Sequence, residues 1–347
     1  MHGRIAAALT LDLKEKDTKY SSWRATWPTQ RDFEQSMAIL WEEKLKQLLP
    51  WRAKGKNAEP NARRVDDSSL KTFLSHGKGY HSGLFLGYYS HLTPTALLQH
   101  QEQKLEADLR ALKDFIKHED RHKFRYQWLI VNTRSFYWDF PTVRTRNKQN
   151  LSPDDCMALL PFADYFNHQD IGCELVSDVK GCKIICNRDY QPGEEVYACY
   201  GQHSNDFLLV EYGFILDENR WDELKLDPVF TKYFTKSVEK DLEEEGFFGD
   251  YTLDSQAICH RTQVAVRRLM GLRTWLGFLS GVNDGEREQP AVNKKVNELL
   301  DEYVKEIQSM TNALEEMSQS EPRDLLLRRW KQIQSLIRKW QDHNPLQ

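Results

Sequence analysis

The sequence predicts an α+β chain that is mostly helical, with one small β-rich stretch near its middle. Three observations carry this. Apolar residues recur at three- and four-residue spacing over much of residues 1–126, two-residue alternation takes over between Cys173 and Tyr200, and helical spacing returns after Asp217. The changes of texture mark three stretches, 1–126, 127–216 and 217–347. A chain of 347 residues can hold two domains, or one domain with a large insertion or extension.

In the first stretch, Phe33, Met37, Leu40, Trp41, Leu45, Leu48 and Leu49 predict a helix ending near Pro50. The opening "MHGRIAAALTLDLKEKD" is apolar from Ile5 to Leu11 but lacks a basic start and a small-residue cleavage site, so it reads as an ordinary helix. "RAKGKNAEPNARR", Arg52 to Arg64, reads as an exposed loop. A second helix covers Thr95 to about Ile116, and a third carries Trp128 and Ile130.

In the middle stretch, "CELVSDVKGCKIIC" alternates around a Lys180-Gly181 turn like a β-hairpin, and Pro192-Gly193 gives a turn of type II character. "EVYACY" then predicts a strand with Val196, Ala198 and Tyr200 on one face and Tyr197 and Cys199 on the other. In the short helix that follows, Asn205 reads as the cap and Gly213 as the stop. In the last stretch, Val296, Leu299, Leu300, Tyr303, Ile307 and Met310 predict one long helix, and Leu326, Trp330, Ile333, Ile337 and Trp340 another. "EKDLEEE" reads as a solvated helix face.

Composition excludes several function classes. With 48 basic against 52 acidic residues and a net charge of -4, no overall field favours nucleic acid or an anionic membrane. Six cysteines without a CxxC pair point to reduced thiols rather than a disulfide framework or zinc cluster. No apolar run approaches the ~18 residues of a membrane span, which places the chain in cytoplasm or nucleus. "HEDRH", His118 to His122, matches the zinc-protease spacing, but Lys117, Asp120, Arg121 and Lys123 crowd it with charge where a metal pocket needs apolar neighbours. It reads as a charged helix end, and no metal is expected. "HGKGYHSGLFLG" lacks the dinucleotide spacing, and there is no P-loop.

Three stretches remain: "VNTRSFYW" (Val131 to Trp138), "PFADYFNHQD" (Pro161 to Asp170) and "GEEVYACYGQHSNDFLLVEYGFI" (Gly193 to Ile215). Singly, each is readable as packing, and Asn167 and His168 as a turn cap. In this order they resemble the carboxyl half of a SET domain, the catalytic module of most protein lysine methyltransferases. The likeness is to the RuBisCO large-subunit methyltransferase type, in which a helical insertion splits the SET fold and a helical substrate-binding domain follows. It covers Val131 to Ile215, and "RDFEQSMAILWEEKLKQLLP" resembles the insertion.

The resemblance implies that residues 1–126 are the helical insertion, 127–216 the carboxyl half of a knotted SET core and 217–347 the substrate-binding domain. It implies S-adenosyl-L-methionine as cofactor and a protein lysine as substrate, with no nucleic acid, membrane or metal partner. Tyr200 matches the catalytic tyrosine, which also borders the cofactor, and Tyr212 the second tyrosine of the lysine channel. Phe136 matches an aromatic beside that channel, and its apolar ring suits an aliphatic lysine over an imidazole. Asn167 and His168 match the cofactor pair, Phe214 a further cofactor contact, and Thr133, Arg134 and Asp164 positions lining the cofactor and substrate cleft. An Arg134–Asp164 pair is equally readable as a structural ion pair. A non-catalytic protein-binding module derived from such an enzyme is the alternative reading, and a metalloprotease built on "HEDRH" the third.

One departure sets a further expectation. A SET domain normally opens with strands bearing a glycine-rich stretch that wraps the cofactor, whereas "MHGRIAAAL" already resembles the insertion, and Gly77 and Gly79 lie elsewhere in the order. The expectation is an amino-terminally incomplete SET core with weak or absent activity as it stands.

Overall fold

A computed structural model describes residues 2–12, 20–50, 92–137, 156–178 and 181–345. The expected Arg52–Arg64 loop, Gly77, Gly79, Trp138 and Lys180 lie outside the described residues. The chain forms two compact units: of the described residues, 2–42 and 92–220 belong to the first and 43–50 and 221–345 to the second.

In the first unit, helix α1 (His2–Asp12) lies against a helix of residues Arg121–Arg134, with the His2 ring stacked 4.4 Å from Trp128. The single helix expected over Phe33–Leu49 is instead broken. Helix α2 (Gln30–Ser36) ends at an extended Met37, a 3-10 turn covers Ala38–Leu40 and Trp41 is extended, while the short helix that follows, Glu43–Lys46, already belongs to the second unit. Helical spacing misleads here because the apolar residues are buried by tertiary contacts that a continuous helix would not give: Ser36 and Met37 pack onto the backbone of Gly213. The start of α2 is locally encoded by a capping box in which Thr29 and Asp32 satisfy each other's backbone N–H groups.

Helix α3 (Pro94–Ala111) has Thr93 as cap and proline in its first turn, and it buries Leu97, Leu98, Leu105 and Leu109. It ends before Ile116, which is nevertheless buried. Helix α4 (Arg121–Arg134) buries Trp128 and Ile130 as the spacing predicts. "HEDRH" straddles the 3-10 turn His118–Asp120 and the first residues of α4, with both histidines exposed.

The β-structure is slight. Strands β1 (Ser135–Tyr137) and β2 (Met157–Leu159) pair antiparallel, with Phe136 opposite Ala158. Strands β3 (His168–Asp178) and β4 (Gly181–Ile185) pair antiparallel as the alternation predicts, with Asp178 opposite Gly181. "EVYACY" is not a regular strand. It meets β3 through Tyr197, Ala198 and Cys199 without forming a ladder, Ala198 bridging both His168 and Cys173. The turn before it is as expected: the Glu194 N–H reaches the Gln191 carbonyl at 3.1 Å and Gly193 has φ 90°. Helix α5 (Asn205–Glu211), buried along its whole length, follows.

The second unit is helical, with α6 (Lys236–Glu244), α7 (His260–Met270), α8 (Leu272–Leu279), α9 (Gln289–Glu315) and α10 (Glu321–His343). The apolar residues of α9 and α10 that set the expected spacing are buried, apart from a half-buried Met310. In α6 only Val238 and Leu242 are buried, so the acidic run is a solvated face. A two-residue ladder, β5 (Leu224–Lys225) with β6 (Thr252–Leu253), is too short to leave alternation in the sequence. A fully buried Arg329 pairs with Asp222 at 2.6 Å.

The α+β class, mostly helical with small sheets, is therefore as expected. All six cysteines are free. Among the described residues no helix is long and apolar enough to cross a membrane, and no three or more His, Cys, Asp and Glu side chains gather as metal ligands.

Candidate active site

The site forms where the extended chain through Ala198 crosses the start of β3. Three main-chain bonds join them: Ala198 N–H to the Asn167 carbonyl at 2.9 Å, Cys173 N–H to Tyr197 at 2.7 Å, and Cys199 N–H to Cys173 at 3.1 Å. Glycine at position 172 permits this approach, since a Cβ there would lie 2.5 Å from the carbonyl carbon of Ala198 and 2.6 Å from the nitrogen of Cys199. An isolated glycine inside a strand pattern is the signal that reveals such a crossing in a sequence.

Tyr200 is fixed at both ends. Its backbone N–H donates to Nδ1 of His168 at 3.0 Å, and its phenol donates to the carbonyl of Phe166 at 2.7 Å. Burial pushes the His168 imidazole down to about 4, so the ring is neutral near pH 7. With Nδ1 accepting, its hydrogen resides on Nε2. Burial likewise raises the Tyr200 phenol to about 12, and that of Tyr212 well above its ordinary 10.

Tyr212 meets Tyr200 at the far end of α5, their ring centroids 5.2 Å apart. The expected cap of this helix was Asn205; instead Ser204 accepts from the Phe207 N–H. Asn205, one residue too late to cap, uses its amide to hold both the N–H and the carbonyl of Leu216. Gly213, with φ 79°, ends the helix as expected, and a Cβ there would meet Ser36 at 2.9 Å. This turn places Phe214 at 6.1 Å from Tyr212 and 5.9 Å from His168, so four rings, His168, Tyr200, Tyr212 and Phe214, converge.

The other expected residues make different contacts. Asn167 is exposed, and its amide donates to Glu195 at 2.7 Å; that bond and one from Tyr197 hold the Glu195 carboxyl below its usual range. Thr133 turns its hydroxyl back to the Leu129 carbonyl within α4. Arg134 donates to the carbonyl of Asp164 at 2.6 Å and lies 3.5 Å from its carboxylate. Asp164 is buried, and both its oxygens receive the indole N–H of Trp23 at 2.9 Å. Phe136 is half-buried in β1 and, among the described residues, makes no ring contact with the other four. Gly172, Glu195, the Phe166 carbonyl and Trp23 were not anticipated, because each acts through a contact between distant stretches.

Comparison with known proteins follows the same lines. Residues 222–343 match the family described as Ribosomal lysine N-methyltransferase 2 C-terminal domain. The chain is 30% identical, over 57% of its length, to Ribosomal lysine N-methyltransferase set11 of Schizosaccharomyces pombe, covering 52% of that protein. It is 24% identical, over 81% of its length, to Ribosomal lysine N-methyltransferase 2 of Saccharomyces cerevisiae, covering 60% of that protein. It thus spans just over half the length of these relatives. Among solved structures, the SET domain of LSMT bound to lysine and AdoHcy aligns over 98% of this chain and 75% of the other, at 13% identity and a TM-score of 0.46. The sequence matches bear out the resemblance to SET-domain protein lysine methyltransferases.

Proposed function

We propose that the chain is an S-adenosylmethionine-dependent protein-lysine N-methyltransferase, with Tyr200 catalytic and a lysine of a ribosomal, cytosolic or nuclear protein as substrate. The observation that supports this best is the convergence of His168, Tyr200, Tyr212 and Phe214 beside Asn167. The names of the relatives favour a ribosomal substrate, and a cytoplasmic or nuclear location suits one. On this reading residues 1–126 are the insertion, 127–216 the carboxyl half of the SET core and 217–347 the substrate-binding domain.

The residues present fit the cofactor. The Asn167 carbonyl oxygen and the Glu195 carboxylate are acceptors suited to an α-ammonium, while the rings of His168 and Phe214 offer flat surfaces to an adenine. Thr133 and Arg134 border the cleft from the end of α4. Bound there, the cofactor supplies an electrophilic methyl on a sulfonium.

The chain supplies alignment rather than a base. With its proton committed to Phe166, the Tyr200 phenol turns only lone pairs toward a reacting group, and so accepts from the lysine amine and orients it. Tyr212 and Phe136 flank the aliphatic stem, and the rings stabilise the methylated ammonium. A free lysine, with a pKa of ~10.4, is only about one part in 2,500 neutral at pH 7, so an apolar aromatic channel that favours the neutral amine assists directly. Asp164, its carboxylate buried beside Arg134 and the Trp23 indole, supports the wall of that cleft.

Calorimetry of the chain with S-adenosylmethionine, together with transfer of labelled methyl groups into isolated ribosomal proteins, tests the proposal. Binding heat and label in a lysine, lost in Tyr200→Phe, support it. Absence of both heat and label would sink it and leave the non-catalytic binding module.

A further inference from the structure

Behind Tyr200 lies a chain of contacts that the proposed reaction does not account for, and it leads to Trp23. The indole N–H is shared between both oxygens of Asp164, each at 2.9 Å. Asp164 belongs to the 3-10 turn Ala163–Tyr165, and the next residue, Phe166, provides the carbonyl that receives the Tyr200 phenol. Arg134 closes the other side of the turn through the Asp164 carbonyl. The turn is entered through Phe162 at φ 79°, a conformation that a bulky L-residue resists and that its surroundings must hold in place.

The segment that carries Trp23 is itself fixed. Its ring packs edge-on against the buried Trp27 at 4.9 Å, the Thr26 hydroxyl donates to the Trp23 carbonyl, and Tyr126 donates to the carbonyl of Pro28. An indole N–H so restrained defines where the Asp164 carboxylate sits.

We infer that Trp23 is a positioning residue for the proposed methyl transfer. Its N–H fixes Asp164, and through the Ala163–Tyr165 turn it sets the Phe166 carbonyl that directs the Tyr200 phenol. The inference rests on the reading of Tyr200 as the catalytic residue.

The test compares Trp23→Phe, which keeps an aromatic ring and deletes the donor, with Trp23→His, which restores a ring N–H. The Tyr200 ring is observed by NMR in protein carrying 13C-labelled tyrosine, its signal assigned with Tyr200→Phe. In Trp23→Phe the Tyr200 signal shifts, kcat falls about tenfold, the loss of one charge-assisted hydrogen bond, and KM for the cofactor stays within about twofold. Trp23→His returns both toward wild type. Combining Trp23→Phe with Asp164→Asn costs little more than Asp164→Asn alone, since both break one linkage.

An unmoved Tyr200 signal in a folded Trp23→Phe variant overturns the inference, whether or not the protein is active. Wild-type kcat in that variant, or fully additive losses with Asp164→Asn, overturns it as well. An inactive wild type in which the Trp23→Phe shift still appears refutes the proposed reaction and leaves the linkage standing. Should Trp23→Phe fail to fold, Trp23→His against Asp164→Asn gives the same comparison, and identical Tyr200 signals in those two and wild type overturn the inference.

Discussion

Substituting Gly172 by alanine tests the crossing that builds the site. The added Cβ would lie 2.5, 2.6 and 2.9 Å from the Ala198 carbonyl carbon, the Cys199 nitrogen and the Tyr197 oxygen. All three are backbone atoms, and ordinary contacts begin near ~3.5 Å, so the two chains must part by about 1 Å. The bonds at 2.7 and 3.1 Å on either side of Cys173 stretch together with that displacement. Overpacking costs roughly 1–3 kcal/mol and each of the two weakened bonds about 0.5–1.5, giving an expected loss of about 2–6 kcal/mol. Thermal and urea unfolding of Gly172→Ala against wild type measures it, and cofactor titration reads the effect on the site, since Tyr200 follows directly after the displaced segment. A variant within about 0.5 kcal/mol of wild type that binds cofactor normally would falsify the claim that this close approach positions Tyr200.

Removing the Tyr200 hydroxyl with phenylalanine should lower methyl transfer by at least about tenfold while leaving calorimetric cofactor affinity nearly unchanged, because the ring stays against His168 and only the oriented oxygen is lost. His168 is held neutral, with its pKa lowered in the fold to about 4 from 6.5, so the unfolded chain binds the extra proton between those values. Its contribution to stability is present above pH 6.5 and is lost as pH falls toward 4, and urea midpoints of His168→Gln should show a shallower decline over that window. In the second unit, Arg329→Ala removes the cation 2.6 Å from the Asp222 carboxylate and should cost about 3–5 kcal/mol by unfolding, whereas Arg329→Met with Asp222→Leu should cost less.

Much of the architecture was legible in the sequence where a local period decides it. Helices α3, α4, α9 and α10 bury the residues that their spacing singled out, and the β3–β4 pairing follows from alternation. Prediction failed where contacts distant in sequence decide the outcome. The run Phe33–Leu49 has helical spacing and breaks at Met37 and Trp41, and "EVYACY" alternates yet forms only isolated bridges, both at Ala198, rather than a ladder. At the candidate site, order along the chain is what singles out Tyr200, Tyr212, Asn167, His168 and Phe214. Order does not single out what holds them there: the Phe166 carbonyl is a backbone group that no side-chain pattern encodes, and Trp23 reaches Asp164 across 141 residues.

The protonation states of the two tyrosines constrain how the proposed reaction responds to pH. Burial raises the Tyr200 phenol to about 12 and that of Tyr212 well above 10, so both remain neutral wherever the protein is folded and active. Neither can take a proton from the lysine ammonium near neutrality, and His168, its Nδ1 already accepting the Tyr200 N–H, is not free to do so through that atom. The remaining ionisation is that of the substrate amine, whose neutral fraction rises tenfold per pH unit below its pKa of ~10.4. Plotted against pH, log kcat/KM should therefore climb with a slope near one from about pH 6.5 and level off as the amine loses its proton, without a descending limb below pH 10. Tyr200→Phe should lower the curve without changing its shape. A bell-shaped profile with a second limb between pH 8 and 10 would show an essential acid in the site and refute the assignment of Tyr200 as an aligning group whose phenol stays protonated.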